Sequence, residues 1–238
     1  MLIASDDHPS AAPEAPRPRW RMHLSAYATS RGSAFVAACT IIAGQAWLAS
    51  TLAFRPVWLL PTISAALLLG SVAVYRSDLE EPSKPMRWFA RGAVGMLALV
   101  NAVCLLLLIR SVFVRTALDP PGLLLAGVVL WVVNVAVFAL AYWEVDGGGP
   151  EDRDGDRGQL PDLVFPQQQA DQEGLAPKGW KPSFSDYLYV SVTAATAFSP
   201  TDAMPYSRAA KLFMGSESTI SFAVVAMIVA RAINVAKG

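Results

Sequence analysis

The feature that most constrains this chain is a set of long runs that contain no Asp, Glu, Lys or Arg. These runs are Ser33–Phe54, Pro56–Tyr75, Gly92–Ile109 and Gly122–Trp143, with lengths of 22, 20, 18 and 22 residues. An uncharged apolar run of about 18 residues or more is typical of a transmembrane helix, because it spans the hydrocarbon layer of a bilayer. The runs predict a polytopic membrane protein. They exclude a soluble globular enzyme, a nucleic-acid binder and a disordered chain.

The composition agrees with this interpretation. Apolar residues make up 54% of the 238 residues and charged residues 16%, whereas soluble domains average about 25% charged residues. The net charge is zero, so it identifies no partner. The two cysteines, Cys39 and Cys104, both lie inside apolar runs. We therefore expect small apolar side chains there, with neither a disulfide nor a metal site.

The order of polar and apolar segments predicts an all-α transmembrane bundle of five long helices plus a short crossing or re-entrant helix. We divide the chain into a polar tail (1–30), a four-helix transmembrane region (31–144), an acidic loop rich in Gly and Pro (145–183) and a helix-break-helix region (184–238). The predicted long helices cover about 33–54, 56–75, 92–114, 122–144 and 208–235.

The segment Phe184–Phe198 leaves the topology open. It is mostly apolar but spans only roughly 22 Å as a helix, and the break Ser199–Pro205 follows it. If it crosses, one side of the membrane holds fourteen Lys and Arg and the other five, and the excess of basic residues places both termini in the cytoplasm. If it dips and returns while the C-terminus stays inside, the amino terminus faces outward. The charge bias favours the crossing.

Several segments resemble a family of uncharacterised bacterial multi-pass membrane proteins with an ion-channel-like C-terminal region. They are DYLYVSVTAATAFSPTDAMP (186–205), AAKLFMG (209–215), ARAINV (230–235), WEVDGGGP (143–150) and FPQ (165–167). The resemblance implies a multi-pass protein of the bacterial plasma membrane. An Arg-rich, Ala-rich composition is in keeping with a bacterial source.

The same C-terminal region is loosely similar to the pore module of two-helix potassium channels, which have a pore helix, a Thr-Val-Gly-Tyr-Gly filter, an Asp and a Pro, and an inner helix. Alignment on Asp202 and Pro205 gives a pore-like or filter-like segment. Its residues are Thr196, Ala197, Phe198, Ser199, Pro200, Thr201 and Asp202.

This filter is degenerate, because a potassium filter needs glycines so that its backbone carbonyls can line the pore. Ser199 and Thr201 resist that backbone geometry, and Pro200 fixes its own φ and restrains Ser199. The resemblance therefore implies a pore-like region without potassium selectivity. An alternative stays open, in which the segment is a break between two crossings and Asp202 caps the turn.

Two charged residues lie in the last apolar helix, Glu217 and Arg231. With Ser221 they follow one helical stripe. Charges within a membrane tend to face a bundle interior or a watery cavity. Glu217, Ser221 and Arg231 are thus candidates to line a conduction or proton pathway, and the alternative is that both charges snorkel to the interfaces.

The remaining polar residues predict no catalytic chemistry. Asn101 and Asn134 lie in apolar runs, where each could bond across helices, although ordinary packing is the favoured interpretation. Asp152, Asp154 and Asp156 lack the glycine and the final acid of a calcium loop, so a solvated acidic loop is expected. No nucleophile-base pair, phosphate loop or His/Cys cluster is present in the sequence. We therefore expect no enzyme activity, no cofactor and no metal.

From these features we expect a channel-like or transport protein of the bacterial plasma membrane, embedded in the lipid bilayer and homo-oligomeric, with no nucleic-acid partner. It would conduct ions of unknown identity through a path lined by the 184–235 region, and its N-terminus would be cytoplasmic. The alternative is a non-conducting membrane scaffold or a subunit of a larger membrane complex.

Overall fold

The computed structural model describes residues 19–52, 56, 58–77, 84–113, 120–150, 153, 160–172, 177–196 and 203–236. Within these ranges the chain is mainly α-helical, which confirms the all-helical class. The helices are α1 (Arg19–Thr51), α2 (Leu59–Ser77), α3 (Lys84–Phe113), α4 (Pro120–Val145), α5 (Pro166–Gln172), α6 (Phe184–Thr196) and α7 (Arg208–Ala236). A 3₁₀ turn, Asp146–Gly148, continues α4.

Four stretches of helix are long and apolar enough to span a membrane. They are Gly32–Thr51 in α1, Trp88–Ser111 in α3, Pro121–Gly148 at α4 and Arg208–Ala230 in α7. The 19-residue α2 is not among them, so four of the five expected helices have the length and hydropathy of a membrane span, and the expected count of five is not confirmed. Helix α1 begins at Arg19, inside the segment expected to be a polar tail, and α3 begins at Lys84, before its uncharged run.

Helix α4 lies at the centre of the bundle, in contact with α1, α3, α6 and α7. We call the end of α4 at Asp146 the loop end, and the end at Pro120 the far end. Helix α3 runs antiparallel to α4, since Arg91 Nη2 donates to Gly148 O at 2.8 Å and Asn101 bonds to Asn134. Helices α1, α3 and α7 thus pack against α4, whereas α2 packs against α1 and α3.

Helix α7 also runs antiparallel to α4. Glu217, near its start, bonds to Tyr142 at the loop end, whereas Ile228 packs against Gly127 towards the far end. A Cβ atom on Gly127 would lie 2.6 Å from Ile228 Cγ1. The glycine thus allows a close approach between the two helices.

Helix α6 does not carry the chain across the bundle. It begins at the loop end, where Tyr187 bonds to Asp146, and it runs towards the middle of α4, where Ser191 bonds to Val135 O. The chain is then back at the loop end, because strand β2 (Met204–Pro205) pairs antiparallel with β1 (Leu163–Val164). Helices α6 and α7 both start from this end. The interpretation of 184–200 as a sixth crossing is therefore wrong.

Candidate functional site

The buried carboxyl group of Glu217 is the centre of the candidate site. Glu217 has 0% of its surface exposed and lies within the Arg208–Ala230 span of α7. Tyr142 Oη of α4 donates to its Oε2 at 2.5 Å, and the Ser191 hydroxyl of α6 is hydrogen-bonded with its Oε1. Ser191 Oγ also lies 2.8 Å from Val135 O. We call Tyr142, Ser191 and Glu217 the Glu217 cluster.

Each member of the cluster comes from a different helix, so packing of α4, α6 and α7 is what assembles it. Ser218 Oγ supports the arrangement by donating to Ala194 O of α6 at 3.0 Å. The basic residues Arg110, Arg208 and Lys211 are exposed. Among the described residues, the polar partners of Glu217 are neutral hydroxyl groups.

A second buried polar group lies deeper in the bundle, which we call the Asn-Ser row. Asn101 Nδ2 of α3 donates to Asn134 Oδ1 at 2.7 Å, and Asn134 Nδ2 donates to Ser221 Oγ of α7 at 2.9 Å. All three side chains are buried. The asparagines therefore bond across helices, contrary to the favoured interpretation of ordinary packing. Asn101 Oδ1 has no hydrogen-bond partner among the described residues.

The two groups are connected along both helices. On α7, Glu217 and Ser221 are one turn apart, and both are fully buried. On α4, Asn134, Tyr142 and Asp146 lie on a stripe of four-residue steps, interrupted by the buried Phe138. Twelve residues of helix rise about 18 Å. Buried polar side chains thus extend from the middle of the bundle to the loop end.

At the loop end, the Asp146 carboxylate accepts three hydrogen bonds. The backbone N–H groups of Asp162 and Leu163 donate to Oδ1 at 2.7 and 2.9 Å, and Tyr187 Oη donates to Oδ2 at 2.5 Å. Asp146 is buried, so these donors compensate for its lost hydration. We call Asp146, its three donors and Arg153 the Asp146 junction. It fastens the loop and the start of α6 to the end of α4.

Arg153 and the glycines of the 143–150 segment complete the junction. Arg153 Nη1 donates to Trp143 O and Asp146 O at 2.8 and 2.6 Å, and its guanidinium lies 5.0 Å from the Tyr187 ring centroid. Gly147 has φ 59° and Gly149 has φ 105°, a region that side chains resist. These glycines let the chain turn back over the end of α4.

The start of α6 is fixed by Asp186, whose Oδ2 accepts from Ser183 N at 2.7 Å and from Ser183 Oγ at 2.6 Å. This carboxylate bonding back to the residue that precedes the helix is half of a capping box. At the other end, the Thr196 hydroxyl bonds to Thr193 O at 3.0 Å, within its own helix. Helix α6 therefore ends inside the bundle with a side chain turned to its own backbone.

The structure places only part of the pore-like segment and the inner-helix stripe. Thr196 ends α6, whereas Ala197, Phe198, Ser199, Pro200, Thr201 and Asp202 lie outside the described residues, as do the acids at 152, 154 and 156. Of the stripe, Glu217 and Ser221 are buried against α4 and α6. The backbone of Arg231 continues α7, and its side chain lies outside the described part.

Three residues of the site were missed by sequence reasoning. Tyr142 lies near the end of its uncharged run, and its side chain points into the bundle. Ser191 and Asp146 were not predicted as site residues, because a lone serine or acid has no distinctive pattern in the sequence. One signal was available: Tyr142 and Asp146 share the four-residue stripe that contains Asn134.

The described residues hold no group of three His, Cys, Asp or Glu side chains that could bind a metal ion. Cys39 is exposed and Cys104 buried, and both are free. Comparison of the chain with protein-family models, curated proteins and solved structures gives no match.

Proposed function

We propose that this protein is a channel-like or transport protein of the bacterial plasma membrane, and that its ion path runs along α6 and α7 past the Glu217 cluster. The observation that carries the proposal is Glu217 itself, a fully buried acid inside a membrane span whose described partners are neutral. Acidic side chains within membrane spans are costly and mark ion or proton pathways.

The Asn-Ser row supports the path. A buried acceptor without a donor is unfavourable in an apolar environment, and Asn101 Oδ1 is such an acceptor beside Asn134. A row of buried amides and hydroxyls that continues to the Asp146 junction offers successive polar contacts to an ion or to water.

Helix α6 has the placement that a re-entrant pore helix needs. It is 13 residues long, starts at the loop end and ends in the interior, and the next helix starts again at the loop end. A segment of this kind is tolerated at membrane depth when it is surrounded by protein or lines a water-filled cavity. We propose that several copies of the chain assemble with α6 and α7 towards the symmetry axis, as the resemblance to pore modules implies.

The rival is a non-conducting membrane scaffold or a subunit of a larger complex, in which the Glu217 cluster only fixes the packing of three helices. A transport protein carries ions across a bilayer, whereas a scaffold does not, so ion flux distinguishes the two functions. Purified protein in liposomes should dissipate an imposed ion gradient, and Glu217→Gln should lower that flux by at least about tenfold, because it removes the titratable acid from the path.

The matched control is Ser216→Ala, next to Glu217 in sequence. Ser216 is exposed, and its hydroxyl bonds to Leu212 O within α7, so its loss should leave flux unchanged. Both variants should elute like wild type in size-exclusion chromatography. Liposomes that stay impermeable to potassium, sodium and protons with the wild-type protein would overturn transport in favour of the scaffold.

The same vesicles test selectivity. The segment 197–201 lacks both filter glycines, so any conductance should not strongly prefer potassium over sodium. Bi-ionic reversal potentials measure this preference. A reversal near the potassium equilibrium value would contradict our interpretation of Ser199, Pro200 and Thr201.

A further inference from the structure

The hydrogen-bond partners of Ser191 indicate where the protons of the Glu217 cluster lie. Its Oγ lies within bonding distance of two acceptors, Val135 O and Glu217 Oε1. A hydroxyl group carries one proton and can donate to one of them at a time. If it donates to Val135 O, the proton between Ser191 and Glu217 must belong to the carboxyl group. Glu217 Oε2 already accepts from Tyr142, so Oε1 is the oxygen that carries this proton.

We propose that Glu217 binds a proton in this structure, and that the Glu217 cluster is a proton-binding site. Glu217 Oε1–H donates to Ser191 Oγ, Ser191 Oγ–H donates to Val135 O, and Tyr142 Oη–H donates to Glu217 Oε2. Every donor in this series of three hydrogen bonds has an acceptor. Glu217 Oε1 carries the proton and donates, whereas Oε2 accepts. This inference names the proton as the transported ion. A role of the site in transport rests on the proposed function.

Burial and charge favour the neutral acid. A carboxylate that is fully buried without a cation carries a large desolvation penalty. On the helices packed around the cluster, the described ionisable groups are Tyr142 and Glu144 of α4, Asp186, Tyr187 and Tyr189 of α6, and the exposed Arg208 and Lys211 of α7. Asp146 and the Arg153 cation lie beyond them at the loop end, where each contacts Tyr187.

The site can also release its proton without leaving a polar group unpaired. When Oε1–H gives its proton to water, the Ser191 hydroxyl rotates from Val135 O to Oε1, and the carboxylate then accepts from both Ser191 and Tyr142. Val135 O keeps its helical bond from the amide four residues later. The proton leaves as hydronium, and one negative charge remains on Glu217. Two hydrogen-bonded states that differ by one proton are what a proton-transfer site requires.

Infrared spectroscopy of the full chain in lipid nanodiscs tests this proposal. At neutral pH the wild-type protein should show a carboxylic-acid C=O band that shifts in D₂O and is missing in Glu217→Gln. In Tyr142→Phe the same band should move to higher frequency, because the carbonyl oxygen Oε2 loses its hydrogen bond. Ser191→Ala should also change the band, since it removes the acceptor of the acid proton.

The outcomes separate the proton site from transport. Wild-type and Glu217→Gln spectra that are identical in the acid C=O region would overturn the proposal, because Glu217 would then be ionised. A band that keeps its wild-type frequency in Tyr142→Phe would do the same, and this variant serves if Glu217→Gln does not fold. A band that behaves as expected in protein that does not conduct would keep the proton site and overturn the transport function.

Discussion

At the scale of single residues, Gly44 of α1 makes one of the closest helix contacts in the bundle. A Cβ atom at this position would lie 2.3 Å from Val133 Cγ2 of α4, and Val133 is buried and β-branched, with little freedom to move. Gly44→Ala should therefore lower the free energy of unfolding by about 1–3 kcal/mol through overpacking. Thermal unfolding in detergent, followed by circular dichroism, measures the change.

The control for Gly44 is Gly95→Ala in α3. A Cβ at Gly95 meets no described atom within 4 Å, so replacing this helical glycine should stabilise the protein by up to about 1 kcal/mol. A Gly44→Ala protein that melts at or above the Gly95→Ala temperature would show that α1 and α4 can separate at this contact without loss.

The sequence identified Glu217 because a lone acid in an apolar helix needs an explanation. It could not identify Ser191 or Tyr142, since a serine or tyrosine acquires its role only from what the other helices bring near. The asparagine bonds were equally hidden. Asn101 and Asn134 are 33 residues apart, and their contact depends on the register between α3 and α4, which no local pattern specifies.

At the scale of elements, charge-free runs located the helices but not their ends. Helices α1 and α3 extend past their runs into segments with Arg and Lys, because these residues are good helix formers and can continue a helix beyond the hydrocarbon layer. The sequence also predicted that α6 is short, because the break Ser199–Pro205 follows it. The return of the chain to the loop end could not be predicted, because it involves β1 and β2, two-residue strands too short to leave a pattern in the sequence.

The Asp146 junction fastens the start of α6 to the loop end, and it gives a prediction for the elements it joins. Asp146→Ala removes the acceptor of two backbone amides and of Tyr187. Buried donors left without an acceptor are expensive, so the free energy of unfolding should fall by about 3 kcal/mol or more. The 145–183 loop should also become more sensitive to limited proteolysis.

Tyr187→Phe is the matched control for the junction. It removes one hydrogen bond, keeps the ring that packs edge-on against Phe165 and leaves both amides of the loop bound to Asp146. We expect a loss of about 1 kcal/mol and little change in proteolysis. Equal destabilisation by the two variants would mean that the backbone bonds of Asp146 contribute nothing to fastening the loop.

At the scale of the whole molecule, the return of the chain to the loop end after α6 changes the membrane topology that the distribution of Lys and Arg favours. If α2 crosses together with the four long apolar helices, the amino terminus and the 145–183 loop lie on one side and the C-terminus on the other. Arg208 and Lys211 then join the loop side, while Arg231 and Lys237 leave it. The split of the nineteen Lys and Arg stays at fourteen to five, so the charge bias and a re-entrant α6 are compatible.

This topology predicts which positions can be reached from outside the cell. From the fourteen basic residues we expect the loop side to lie in the cytoplasm. In a background that lacks Cys39 and Cys104, single cysteines at Ser10 and Gln168 should resist an impermeant thiol reagent in intact cells, whereas one at Gly238 should react. All three should react after the membrane is permeabilised, which controls for their chemical accessibility. Protection of all three in intact cells would mean that the number of crossings is even, and labelling at Gln168 with protection at Gly238 would mean that the orientation is inverted.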